Sequence, residues 1–162
     1  MDYFKNAENK LSQIKFFAGH LQISSSTNNP VIVHTRNAEL DTISTLKSFS
    51  KKKEVKGLIH CFTSTKKMAE AALDIGFYIS ISGVITFKNA KDLVDVVRYI
   101  PSDRLLVETD SPYLAPVPNR GKRNEPSNTK FTLKKLAEIK NTSVENMAKI
   151  TTYNFFSLFS GI

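Results

Sequence analysis

Apolar residues along this chain fall into two alternating rhythms. Short continuous runs at Val31-Ile32-Val33-His34, Gly57-Leu58-Ile59-His60-Cys61-Phe62, Phe77-Tyr78-Ile79-Ser80-Ile81 and Leu105-Leu106-Val107-Glu108-Thr109 predict four strands. Strands without a polar alternation suit a sheet covered on both faces. Between them, apolar positions recur at helical spacing. Ile43 and Leu46 share a face over Leu40–Phe49, and Met68, Ala71, Ala72 and Ile75 do so over Lys66–Ile75, where Gly76 is the stop. Leu93, Val96, Val97 and Ile100 repeat the pattern over Ala90–Ile100, before Pro101. Strand and helix alternating at these lengths predict βα units and a parallel sheet, an α/β fold.

The two ends differ from this middle. A helix is expected over Asn6–Ile23, with Leu11, Ile14, Ala18 and Leu21 on one face. Ser111–Asn128 is a long loop carrying Pro112, Pro116, Pro118 and Pro126 together with Arg120, Lys122 and Arg123. Two helices close the chain. Thr142-Ser143-Val144-Glu145 reads as a capping box opening the second. Its Val144, Met147, Ile150 and Phe155 are expected as core contacts.

Length and composition narrow the class. The 162 residues, 41% hydrophobic with 11 Phe and 5 Tyr, suffice for one domain spanning 1–162. No apolar run approaches the ~18 residues of a membrane span, so no membrane partner is expected. Met1–Asn6 lacks the basic patch and apolar stretch of a signal peptide. Cys61 is the sole cysteine, which excludes an internal disulfide and fits the reducing cytoplasm. A net charge of +8 fits an anionic partner such as nucleic acid, and a Lys-rich soluble surface explains it equally well. Lys51-Lys52-Lys53 reads as a solvated helix end.

Three polar residues stand at the C-terminal ends of predicted strands: His34, His60 and Asp110. In parallel βα folds those ends share one face of the sheet, where sites are built. Imidazole and carboxylate together suit a divalent ion, Zn or Mn, and the carboxylate also suits Mg. A lone histidine after a strand is commonly structural; three residues at equivalent positions favour a metal site. His20, mid-helix, is expected to be structural or exposed. Strand alternation would turn Cys61 away from His60, arguing against a Cys-His nucleophile. Ser82-Gly83 closes the third strand, as a plain turn or a point of close ligand approach. Gly-rich phosphate loops, His-Glu-x-x-His and Gly-x-Ser-x-Gly are absent.

Pro30-Val31-Ile32-Val33-His34-Thr35-Arg36, Ile59-His60-Cys61-Phe62-Thr63, Ile79-Ser80-Ile81-Ser82-Gly83, Val107-Glu108-Thr109-Asp110-Ser111-Pro112-Tyr113-Leu114 and Gly121-Lys122-Arg123-Asn124-Glu125-Pro126 occur in this order. Together they resemble the TatD family of metal-dependent deoxyribonucleases over essentially the whole chain. The resemblance implies a TIM-type (β/α)8 barrel hydrolysing phosphodiester bonds of DNA, and in some cases RNA, from a 3′ end with one or two divalent ions (Mg, Mn or Zn). It implies His34 and His60 as metal ligands, and Asp110 as a ligand that also helps activate water. Glu108 would be a supporting group, while Arg36 and Arg123 would border the substrate.

The departures are as informative as the matches. The family's first-strand His-x-His occurs nowhere here, and Met1-Asp2-Tyr3 aligns just past the position of its bridging Glu. A barrel of this type needs ~250 residues, so the chain corresponds to strands five to eight, the C-terminal half. Four such strands would leave two unpaired edges and an uncovered inner face, which invite a homodimer or a complementing N-terminal half. The first helix could cover one edge. Weak binding of at most one ion and little or no activity are expected of the chain alone. An inactive fragment and a basic nucleic-acid-binding module stay open beside the hydrolase reading.

Overall fold

The β-rich runs form short parallel strands because each is followed by a helix that returns the chain to the same end of the sheet. The computed structural model describes residues 1–4 and 7–160. Strands β1 (Val31–Val33), β2 (Gly57–Ile59), β3 (Tyr78–Ile81) and β4 (Leu105–Val107) pair in parallel in that order. The register sets Ile32 opposite Leu58, Leu58 opposite Tyr78 and Ser80 opposite Leu106. The helices are α1 (Lys10–Thr27), α2 (Glu39–Ser50), α3 (Lys66–Leu73), α4 (Lys91–Tyr99), α5 (Thr129–Ile139) and α6 (Val144–Leu158).

The sheet's two faces are treated differently. Val33, Ile59, Ile79, Ile81 and Leu105 point to the back, into one core with Leu46 of α2, Met68 and Ala72 of α3, and Val97 of α4. The front carries Ile32, Leu58, Ser80 and Leu106. Among the described residues, the end of α6 covers it, where Leu158 and Phe159 pack on Leu58 and Leu106. Coverage of both faces, expected from the apolar strands, therefore holds for the back and only one end of the front: Ile32 stays 61% exposed. No described helix is long and apolar enough to cross a membrane.

Several local expectations shift. α1 runs four residues beyond Ile23 and ends at Asn28, whose left-handed backbone terminates it. Asn6, its expected start, lies outside the described residues. Leu21 is fully buried, but Leu11 is exposed, because the first turns of α1 stand clear of the sheet while Phe17 and Leu21 lean on the core. α3 stops at Leu73, two residues early, and the chain turns through Gly76 at φ 79°. The cap of α6 sits one residue later than the expected box. Ser143 accepts the Asn146 N–H, and Thr142 accepts from the Asn146 side chain instead. Met147 is buried, whereas Val144 and Phe155 are exposed rather than core contacts. Phe155 faces the open front, where it packs against Phe156 and Phe159 and stays 49% exposed.

Candidate metal centre

The sheet register places the candidate residues. Val33 pairs with Ile59, so His34 and His60 leave their strands side by side, with ring centroids 6.1 Å apart. β2 ends at Ile59 rather than Phe62, and Cys61 takes a left-handed backbone at φ 46°. That turn removes Cys61 from strand alternation. Its N–H donates to Glu108 Oε2 at 3.1 Å, and its Sγ lies 3.2 Å from Ser82 Oγ. Burial, partly offset by the Ser82 contact, pushes the thiol up to about 11, with the Glu108 and Asp110 charges adding to the rise. Cys61 is thus a protonated thiol at neutral pH, unsuited to nucleophilic attack.

His60 lies between two carboxylates. Its Nδ1 is 2.9 Å from Glu108 Oε1, and its Nε2 is 3.3 Å from Asp110 Oδ1. The Glu108 contact, opposed by burial and aided by both negative charges, raises the His60 pKa above its ordinary value. Burial acts to raise Glu108, but His60, Ser80 and the Cys61 N–H outweigh it and hold the carboxyl below its usual value. Glu108 Oε1 is nonetheless buried without a well-aligned hydrogen bond, so its approach to Nδ1 is a charge contact.

His34 stands apart from this triad. Its Nε2 lies 3.3 Å from Asp2 Oδ2, and its side chain is half exposed. Tyr3 N–H donates to the Arg36 carbonyl and Arg36 N–H to the Met1 carbonyl, a parallel bridge that fixes Asp2 beside His34. Asp2 escaped the sequence reading because it stands 32 positions from His34 and follows no apolar strand. Arg36 stacks its guanidinium on Phe4, 3.8 Å from the ring centroid, and Arg123 is exposed on the long loop. His20 is exposed, its Nδ1 2.8 Å from the Phe16 carbonyl of its own helix.

The long loop is pinned beside Asp110 by Asn124, a second residue that sequence reasoning passed over. Asn124 is 2% exposed. Its Nδ2 donates to the carbonyls of Thr109 at 2.9 Å and Tyr113 at 2.7 Å. Its Oδ1 accepts from the Glu125 N–H and Asn128 Nδ2. The loop also explains Gly83: a side-chain carbon there would collide with the Leu114 carbonyl, so the close approach at Ser82-Gly83 is the chain's own.

Together His60, Glu108 and Asp110 are the cluster of described residues whose donor atoms converge closely enough for a metal ion. Tetrahedral ligands at zinc-like bond lengths stand about 3.3–3.4 Å apart, and the His60 Nε2 to Asp110 Oδ1 spacing is 3.3 Å. A ligating histidine commonly has its other ring nitrogen held by a carboxylate, the position of Glu108. The mixed nitrogen and oxygen donors complete the fit.

Comparison with known proteins agrees with this chemistry. The chain is 49% identical over 159 residues to YcfH of Escherichia coli K12, described as an uncharacterized metal-dependent hydrolase, covering 98% of this chain and 60% of that protein. It is 42% identical over 159 residues to YabD of Bacillus subtilis 168, described in the same way, covering 98% of this chain and 62% of that protein. The chain thus spans about three fifths of these relatives' length. Among solved structures, YJJV, a TatD homologue from E. coli K12, superposes with a TM-score of 0.79 at 25% identity over 88% of this chain and 54% of that one. A TatD family hydrolase from Entamoeba histolytica gives a TM-score of 0.80 at 21% identity, covering 98% of this chain and 60% of that one, a likeness of fold. The family model for TatD-related DNases matches residues 1–160, and the chain belongs to that family.

Proposed function

We propose that this chain carries the His60–Glu108–Asp110 portion of a divalent-metal centre that hydrolyses phosphodiester bonds of DNA. The observation that carries the reading is His60 held between two carboxylates at the C-terminal ends of parallel strands. His60 Nε2 and an Asp110 oxygen would hold the ion, with Mg, Mn and Zn compatible with the donor set. When bound, such an ion neutralises charge developing on the phosphate and lowers the pKa of attacking water. Glu108 keeps the His60 ring oriented through Nδ1, so that Nε2 faces Asp110. The second Asp110 oxygen can take the proton that the attacking water gives up. His34 and Asp2 form an adjacent nitrogen and oxygen pair that extends the site toward a second ion.

Substrate contact falls to the basic loop. Arg120 rests on the Phe87 ring, 3.7 Å from its centroid, while Lys122 and Arg123 are exposed beside it. These cations, with Arg36 two residues beyond His34, suit a phosphate backbone. The test is nucleotide release from 3′-labelled single-stranded DNA with Mg or Mn, for the chain and its His60→Ala form, alone and with complementing strands supplied. Release is expected to be low or absent alone, to need the metal when complemented, and to disappear in the variant. Release that the substitution leaves unchanged refutes the reading, as does none from a complemented chain that binds metal.

A further inference from the structure

The basic long loop is tied to a groove in the helical layer on the back of the sheet. Thr86 Oγ1 accepts the Val117 N–H at 2.9 Å, which fastens the loop to the short turn Gly83–Thr86 that follows β3. From that junction two cavities open, of about 420 Å³ along α4 and about 450 Å³ along α5, and Thr86 and Lys135 line both. They form one groove, and none of His60, Glu108 and Asp110 lines it. Both helices begin at the end of the sheet where Asp110 stands, α4 after β3 and α5 after the long loop. Lys140 joins their far ends, donating to the Arg98 carbonyl at 3.0 Å and to the Ile100 carbonyl. The groove thus starts at the same end of the sheet as the metal centre and runs away from it.

Charge is spread unevenly along that path. Toward the far end Arg98 holds Asp95 at 2.6 Å, and on α5 Lys135 holds Glu138 at 3.2 Å. Those pairs use up the two carboxylates that line the groove. Lys88 and Lys91 at the near end and Lys134 midway are exposed, and none of them is in an ion pair among the described residues. Two more cations are held on aromatic rings of the walls. Arg120 lies 3.7 Å from the Phe87 centroid, and Lys130 lies 5.2 Å from that of Phe131. A cation resting on a ring keeps its outward donors for an anion.

The arrangement selects among anions. A small phosphate needs donors that converge on one point, whereas these cations are strung along two connected cavities. Carboxylates of an acidic polypeptide are best matched by the planar fork of arginine. The unpaired cations of the groove are lysines, point charges that take a phosphate from many directions. They also continue the cations of the long loop, Arg120, Lys122 and Arg123, along one path. Repeated charge on a continuous path matches a polymer with one negative charge for each unit. Phe87 and Phe131 are partly buried and already carry cations, so the groove grips backbone rather than stacking bases.

We propose that the groove between α4 and α5 binds the sugar–phosphate backbone of a single nucleic-acid strand, as a site separate from the metal centre. The proposal deepens the hydrolase reading and rests on it for the identity of the strand, which would be the one the centre cuts. Binding is therefore measured in EDTA, where loss of metal-dependent cleavage and loss of this site are read separately. The probe is dye-labelled oligo-dT, titrated by fluorescence anisotropy against the full chain over a range of salt concentrations. Lys88→Ala, Lys91→Ala and Lys134→Ala together should lower the slope of log affinity against log salt by about 2, at ~0.7 for each phosphate contact on a single strand. Lys51→Ala, Lys52→Ala and Lys53→Ala together remove the same charge from the end of α2 and should leave the slope unchanged. Circular dichroism should show both variants folded, since all six lysines are exposed. An abasic strand of the same length should bind as well as oligo-dT. An unchanged slope in the groove variant, an equal fall in both variants, or about tenfold weaker binding of the abasic strand, the mark of base stacking, overturns the proposal. So does poly-glutamate that displaces the probe as well as unlabelled oligo-dT does, which would give the groove to an acidic polypeptide.

Discussion

Replacing Asn124 with Leu removes the side-chain bonds that pin the long loop while keeping the branched shape and the backbone N–H bond to the Pro112 carbonyl. The side chain makes four hydrogen bonds, two donated to Thr109 and Tyr113 and two accepted from Glu125 and Asn128. A buried group left without its partner costs about 1–3 kcal/mol. Tyr113 is exposed and its carbonyl can be rewetted, but Asn128 is 7% exposed and its amide would be stranded. The expected loss is therefore about 2–4 kcal/mol, well within the ~5–15 kcal/mol of an ordinary domain, so the variant should fold. Thr109 precedes Asp110, whose backbone is left-handed at φ 58°, so slackening the loop should also displace the Asp110 carboxylate. Urea denaturation and Mn²⁺ titration together test this, with Asn124→Asp as comparator: it keeps acceptors but faces two carbonyls with a carboxylate, and should lose at least as much. Unchanged stability refutes the anchoring argument. Lowered stability with unchanged Mn²⁺ affinity refutes the link to Asp110.

Three further outcomes follow from the same geometry. Asn154 is 2% exposed and donates to the carbonyls of Ser102 and Leu105, so Asn154→Leu should cost about 2–3 kcal/mol in urea denaturation; a loss under about 0.5 kcal/mol would show that water replaces it. Glu108→Gln should lower Mn²⁺ affinity about 10–100-fold by releasing the His60 ring, and calorimetry showing no change would remove Glu108 from the site. With its thiol near 11 rather than the ordinary 9.0, Cys61 in the metal-free chain should react with iodoacetamide at pH 8 about a hundredfold more slowly than a free cysteine. The rate should climb as pH rises toward that value; a rate at pH 8 like that of free cysteine would contradict the burial argument.

The parallel sheet was legible because each strand is a continuous apolar run and each intervening helix repeats at its own period. The backbone turns were not, since Cys61 and Asp110 adopt left-handed conformations that no local pattern marks, and those turns bring the Cys61 N–H and the Asp110 carboxylate to the site. Strand-end position pointed to His34, His60 and Asp110, but the closest cluster joins His60 and Asp110 to Glu108, while His34 pairs with Asp2. Side-chain reach across neighbouring strands decides that grouping, and it is invisible to spacing along the chain. Phe155 shows a different limit. Helical periodicity marks it as apolar, but does not show that it sits on the side of α6 that stays 49% exposed.

The metal centre is tested by Mn²⁺ titration of the purified chain by calorimetry, beside His60→Ala, Asp110→Asn and His20→Ala. Weak binding of at most one ion is expected, abolished by the first two substitutions and untouched by the third. Binding that survives His60→Ala, or none in the unaltered chain, would contradict it.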